Sequence, residues 1–159
     1  MNPSIHPDLH PISFLLGTWV GTGSGIYPTI DDFSYDETAT YTHVGKPFIA
    51  YGQKTRRSDS GEPLHSEAGY FRPSGVSAVE LLIAQPSGIS ELHVGEVSGS
   101  TIDLTATSVV TTPTAKEVVS VRRLLMVEGD SMRYQLFMGA VGQPHQLHLS
   151  ATLKKVKPA

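Results

Sequence analysis

Apolar and polar residues alternate along most of this chain, in short runs separated by glycine, proline and small polar residues. Phe33, Tyr35, Ala39 and Tyr41 alternate with polar neighbours through Phe33–Val44, and a turn at Gly45-Lys46-Pro47 leads into Phe48–Arg56. A polar loop over Arg57–Pro63 precedes Leu64–Arg72, and Val76–Ala84 stops at Gln85-Pro86-Ser87-Gly88. Further runs are Ile89–Val97, Thr101–Val110, Val118–Val127, Met132–Ala140 and Gln146–Val156. With Thr18–Ile26 the pattern predicts about ten strands and almost no helix. Strands joined only by short turns imply an all-β fold, an antiparallel up-and-down meander of the lipocalin or fatty-acid-binding-protein kind, which hides its edges by closing into a barrel. About ten strands make a barrel wider than its own side chains fill, so a ligand cavity is expected.

One short N-terminal helix is expected over Pro11–Leu16, where apolar residues stand behind a proline suited to a first turn and Gly17 can end it. Residues 1–10 read as a flexible leader with His6 and His10 exposed, and residues 11–159 as a single barrel domain. The next stretch, Gly17-Thr-Trp-Val-Gly-Thr-Gly-Ser-Gly25, puts glycines on one strand face with Trp19. Such a face lets something bulky approach the backbone. Two readings are open: strong barrel curvature, or access for a flat ligand bordered by Gly17, Trp19, Gly21 and Gly23. No Lys-Ser/Thr pair and no helix follow, so phosphate-loop and dinucleotide patterns fail.

The 159 residues include no cysteine, which excludes disulfides, thiolate metal sites and iron–sulfur clusters and leaves histidine as the main transition-metal ligand. A net charge of −3 offers no field for nucleic acid. No apolar run is long enough to span a bilayer, and no signal peptide is evident, so a soluble, cytoplasmic protein is expected.

Two histidines, His145 and His148, follow the turn Gly142-Gln143-Pro144, placed to ligate a metal or haem iron at an open barrel end. His148 has the parity of Ser150, Thr152 and Lys154, opposite to Leu147, Leu149, Ala151 and Leu153. A regular strand with the apolar set inside turns His148 outward, unless a bulge resets the parity or the ligand-side face is itself polar. His65 and Glu67 share a face near Arg72, suited to acid–base work or to ion pairs at the barrel surface. His43 points into the cavity or satisfies the turn at Gly45. His93, alternating with Glu91 and away from Leu92 and Val94, is expected to be exposed. No nucleophile triad, HExxH string or calcium loop is present.

The chain resembles the nitrobindins, haem-binding β-barrels. The resemblance rests on Gly17-Thr-Trp-Val-Gly-Thr-Gly23, a GxWxGxG pattern continued by Tyr27-Pro-Thr-Ile30. Further matches are Thr42-His-Val-Gly-Lys-Pro47, His65-Ser-Glu-Ala-Gly-Tyr70, Gln85-Pro-Ser-Gly-Ile89, Thr114-Ala-Lys-Glu-Val118, Ala140-Val-Gly-Gln-Pro144 and His148-Leu-Ser-Ala151. It implies a ferric haem b held at one barrel end by a single axial histidine, His148 by position, which is then both metal ligand and catalytic residue. It also places Lys116 near the haem, where its ammonium pairs with a propionate. The implied activity is isomerisation of peroxynitrite to nitrate with reversible nitric oxide binding. One histidine leaves an iron position open for Lewis-acid chemistry without a reductant. The alternatives are a carrier of haem or of an apolar or fatty molecule, and a sensor acting through a separate partner. The ligands are small molecules, with neither nucleic acid nor membrane as partner, and a barrel with one open end can form a homodimer.

Overall fold

The computed structural model describes residues 2–159, and the pattern of alternation becomes ten strands. They are β1 (Gly17–Tyr27), β2 (Ile30–Thr42), β3 (Ile49–Arg57), β4 (Pro63–Pro73), β5 (Ala78–Gln85), β6 (Ile89–Ser98), β7 (Thr101–Thr111), β8 (Val118–Glu128), β9 (Ser131–Ala140) and β10 (Gln146–Lys155). Each pairs antiparallel with its sequence neighbours, and β10 closes onto β1 from Trp19↔Lys155 to Gly25↔Leu149. Closure leaves no sheet edge along most of the ring. Among the described residues no helix is long and apolar enough to cross a membrane.

The helix is a 3-10 helix that starts earlier than expected, at Pro7, and runs to Leu15. Residues 7–10, read above as leader, are therefore structured. The reason is a missed period: Leu9, Ile12 and Leu15 recur every three residues, the repeat of a 3-10 helix, and all are buried. His6 caps the start, its Nδ1 accepting from the Asp8 amide at 3.2 Å. This helix leads straight into β1, so it covers the end of the barrel where β1, β3, β5, β7 and β9 begin. There Trp19, fully buried, donates from Nε1 to the Leu15 carbonyl at 2.8 Å. Tyr41, Ile49, Phe71 and Leu153 complete the core around it.

The opposite end is rimmed by the loops β1–β2, β3–β4, β5–β6, β7–β8 and β9–β10. Two ladder irregularities there matter. Leu147 pairs with Phe137 and Leu149 with Leu136, so His148 is the extra residue of a β-bulge. Among the described residues, ladder pairing between β7 and β8 runs only from Thr101–Thr105 to Arg122–Met126. The rim halves of those two strands pair with β6 and β9 alone.

The glycines of β1 serve the wall. A Cβ on Gly21 would lie 2.1 Å from the Thr152 carbonyl oxygen, and one on Gly23 would lie 2.4 Å from the Tyr35 ring. Neighbouring strands and rings close over this face, which favours the curvature reading. Gly21→Ala is therefore expected to destabilise the protein by about 1–3 kcal/mol, the range for overpacking, in urea unfolding. A loss below about 0.5 kcal/mol would show that β1 and β10 can separate freely.

Candidate functional site

Inward-facing side chains at the open end enclose a cavity of about 270 Å³. Its walls fall into three levels, ordered by position along the strands. At the rim stand Phe33, Leu64, Ile89, Val118, Leu136, Met138, Leu149 and His148. Below them lies a polar waist of Tyr35, Glu37, Gln53, His65, Glu67, Glu91, Arg123 and Tyr134. Tyr41, Phe71, Leu81 and Leu125 form the base.

The bulge brings His148 into this cavity. Leu149, paired with the inward Leu136, faces in; Leu147, paired with Phe137, belongs to the other register; and the extra residue between them lets the imidazole join the inner wall. The parity conflict in the sequence is thereby resolved: Leu149, Ala151 and Leu153 stay inward, and Leu147 goes to the outer face with Phe137. The ring is held from three sides. Its Nδ1 lies 3.0 Å from the Ile26 carbonyl oxygen, the Tyr27 ring meets it edge-on at 5.2 Å, and Phe33 stands at 6.5 Å. Tyr27 is itself fixed, its hydroxyl accepting from the Ala140 amide at 2.9 Å and donating to the Met138 carbonyl at 3.1 Å.

A carbonyl oxygen can only accept, so Nδ1 carries the proton and Nε2 keeps its lone pair. Burial holds the imidazole below its usual range, outweighing the Ile26 hydrogen bond, so the neutral ligating form prevails at pH 7. An imidazole with one nitrogen tied to a backbone carbonyl and the other free is the arrangement of a metal-binding histidine. Among the described residues no group of three or more His, Asp or Glu could hold a bare metal ion. One oriented imidazole over an apolar rim instead fits a metal whose remaining ligands come with it in a flat macrocycle, as in haem.

The other sequence candidates fall elsewhere. His145 is exposed, 2.8 Å from the Ser120 hydroxyl through Nδ1 and stacked on Phe137, and does not line the cavity. Lys116 is exposed in the β7–β8 loop at the rim. Gly17 and Trp19 lie at the helix-covered end, Gly21 and Gly23 in the wall, and none of the four lines the cavity. His43 satisfies its turn, with Nδ1 accepting from the Gly45 amide at 3.2 Å. His65 and Glu67 do share a face and do pair, at 3.2 Å, but inside the barrel. Arg72 pairs instead with Glu80 on the outside.

His93, expected outside, is 2 % exposed, and its Nε2 lies 2.8 Å from Glu91 Oε1. The apolar alternation of β6 is inverted: Leu92 and Val94 face solvent while Glu91 and His93 face in. The cause is Arg123. Its guanidinium reaches Glu67 Oε1 at 2.7 Å and Glu91 Oε1 at 3.1 Å, so two strands turn carboxylates inward to meet it. Glu37, Glu91, Arg123 and Tyr134 were not singled out from sequence as site residues. The available signal was charge at inward parity, as with Glu37 between Tyr35, Ala39 and Tyr41.

The waist carboxyls differ sharply. Burial raises Glu67 and Glu91, but the Arg123 charge and their histidine hydrogen bonds outweigh it and hold both below the usual carboxylate range. Glu37 has no direct bond from Arg123. It accepts from Gln53 Nε2 at 3.2 Å and Tyr134 at 2.5 Å, and burial pushes it up to about 7.

These opposed shifts set a pH dependence. Glu67 and Glu91 contribute stability above the ordinary carboxylate range that is lost in acid. Glu37 binds its proton more tightly folded than unfolded, so its contribution is complete below the unfolded value of 4.5 and is lost as pH rises through about 7. Urea unfolding of the wild type is expected to show a loss of roughly 2–3 kcal/mol between pH 5 and pH 8, and Glu37→Gln less than about 1 kcal/mol. Equal losses in the two proteins would remove Glu37 as the cause.

Comparison with known proteins covers nearly the whole chain. Residues 8–155 match the family described as the THAP4-like, heme-binding beta-barrel domain. The chain is 50% identical to peroxynitrite isomerase 2 of Mycobacterium avium, over 98% of this chain and 99% of that one. It is likewise 50% identical to peroxynitrite isomerase 1 of Mycolicibacterium paratuberculosis, with the same coverage. Among solved structures, Rv2717c from M. tuberculosis superposes with a TM-score of 0.91 at 46% identity, covering 97% of this chain and 100% of that one. An oriented, neutral imidazole in the open end of a ten-stranded barrel, together with a match over nearly the whole chain, gives one conclusion: this chain belongs to the THAP4-like haem-binding β-barrel family.

Proposed function

We propose that this protein binds ferric haem b at the open end through His148 and isomerises peroxynitrite to nitrate. The observation that carries the reading is the bulged His148, with Nδ1 tied to the Ile26 carbonyl and Nε2 free in the cavity. Relatives 50% identical over nearly their whole length carry the name peroxynitrite isomerase, which supplies the reaction. Haem held there by the His148 imidazole would supply Lewis-acid chemistry toward peroxynitrite and an affinity for nitric oxide.

The residues of this chain do the rest. Ile26 and Tyr27 keep the imidazole aimed and burial keeps it neutral, so the ligand needs no reorganisation on binding. Phe33, Leu64, Ile89, Val118, Met138 and Leu149 exclude water around a flat apolar group. Lys116, on a rim loop, offers an ammonium to a carboxylate at the edge of the site. Substrate and product of the isomerisation have the same atoms, so no group in the cavity has to deliver an electron or a hydride. The carrier alternative for fatty molecules fits the rim but not the waist, where an acyl chain would lie against ionised Glu67 and Glu91. A cytoplasmic setting, with a chain free of cysteine, belongs to the same reading.

Haemin added to the wild-type protein is expected to give a sharp Soret band and a ferric protein that speeds peroxynitrite decay at least about tenfold over free haemin, a small share of a typical enzymatic acceleration. His148→Ala should lose both, and His145→Ala should keep both. A Soret band of unchanged position and intensity in His148→Ala would transfer the ligand role elsewhere.

A further inference from the structure

The waist contains a hydrogen-bond chain that can run in either direction. Tyr35 and Tyr134 place their hydroxyls 2.7 Å apart, and either oxygen can be the donor. Tyr134 lies 2.5 Å from Glu37 Oε2, while Glu37 Oε1 accepts from Gln53. Beyond Tyr134, the Tyr35 hydroxyl has no other side-chain or backbone partner among the described residues, and Tyr35 lines the cavity. Its tip is held against β1 because Gly23 carries no Cβ, which would lie 2.5 Å from the hydroxyl oxygen.

The proton inventory allows two states. With Glu37 ionised, both its oxygens accept, Tyr134 donates to Glu37 and Tyr35 donates to Tyr134. Tyr35 then shows the cavity only lone pairs. With Glu37 as the acid, the proton sits on Oε2, since Oε1 is already accepting from Gln53. Glu37 donates to Tyr134, Tyr134 donates to Tyr35, and the Tyr35 O–H is released into the cavity. Adding one proton at Glu37 reverses the whole chain without moving a heavy atom.

We propose that Glu37, acting through Tyr134, sets whether the Tyr35 hydroxyl offers a small anion in the cavity a hydrogen-bond donor or only an acceptor. This makes Glu37 a positioning residue for anionic ligands. The inference rests on the function proposed above for the identity of the anion, but not for the chain itself. The surroundings put the reversal near neutral pH. Glu37 faces Tyr35 and Tyr41 of β2, Tyr51 and Gln53 of β3, His65 and Glu67 of β4, Glu91 of β6, Arg123 of β8 and Tyr134 of β9. Burial, with the Glu67 charge adding to it, exceeds the opposing pull of Tyr134, Gln53 and Arg123. An anion in the cavity would meet the charges of Glu67 and Glu91, so a released donor is what makes its entry favourable.

Two measurements test this. In the haem-free barrel, infrared titration should show a buried carboxylic acid band lost with a midpoint near pH 7 and absent in Glu37→Gln. The tyrosine C–O band that Tyr35→Phe removes should shift with the same midpoint in wild type and stay still in Glu37→Gln. In the haem-loaded protein, azide affinity in the wild type should fall about tenfold more between pH 6 and pH 8 than in Glu37→Gln, whose amide keeps donating to Tyr134. Tyr35→Phe should bind azide about tenfold more weakly than wild type at pH 6 and match it at pH 8. Failure of haemin to bind refutes the haem reading, and the infrared arm then decides the inference alone. A Tyr35 band that does not move with pH, or equal azide slopes in wild type and Glu37→Gln, overturns it.

Discussion

The interior of this barrel depends on one guanidinium. Arg123 is nearly enclosed, and its charge is met by Glu67 from β4 and Glu91 from β6, each backed by a histidine. Removing Arg123 would leave two carboxylates uncompensated away from water, a cost of several kcal/mol. The strands must therefore keep their register so that these carboxylates face inward, even where that turns Leu92 and Val94 out to solvent. A waist of this kind cannot be filled by close-packed aliphatic side chains. It separates the apolar base, where Trp19 and the 3-10 helix close the barrel, from the apolar rim, and it keeps the middle open.

The same constraint explains which parts of the molecule were legible in the sequence. Strand number and turn positions follow from alternation and from glycine and proline, and all ten strands fall within a few residues of where the pattern puts them. Facing did not follow so simply. Alternation says that two faces differ, and the rule that the apolar set is inside fails on β6, where an ion cluster outweighs the hydrophobic preference. A single long-range partner, Arg123, decided the orientation of Glu91 and His93, and no local window contains it. The one short helix was expected, but its start was misplaced for a smaller reason: its stripe repeats every three residues, and a proline at position 11 suggested a start that Pro7 in fact provides.

For the site itself, the composition left histidine as the natural ligand and the turn at Gly142-Gln143-Pro144 marked its place. Parity pointed His148 the wrong way, and one inserted residue in the β9–β10 ladder corrected it. The glycine-rich strand left curvature and ligand access both open in the sequence, and Tyr35, Phe33 and Leu153 lie over it. Its bearing on chemistry is indirect, since the room at Gly23 is what holds the Tyr35 hydroxyl at the cavity wall.

The truncated ladder between β7 and β8 gives the barrel unequal stiffness along its height. Near the helix the circumference is set by an unbroken ring of amide bonds. Near the loops that ring has a seam, flanked by the half-exposed Val109 and the exposed Val110 and Val119, and the two sides can spread apart without breaking a backbone pair. The barrel is built less like a cup than like a split collet, continuous at its closed end and divided at its mouth.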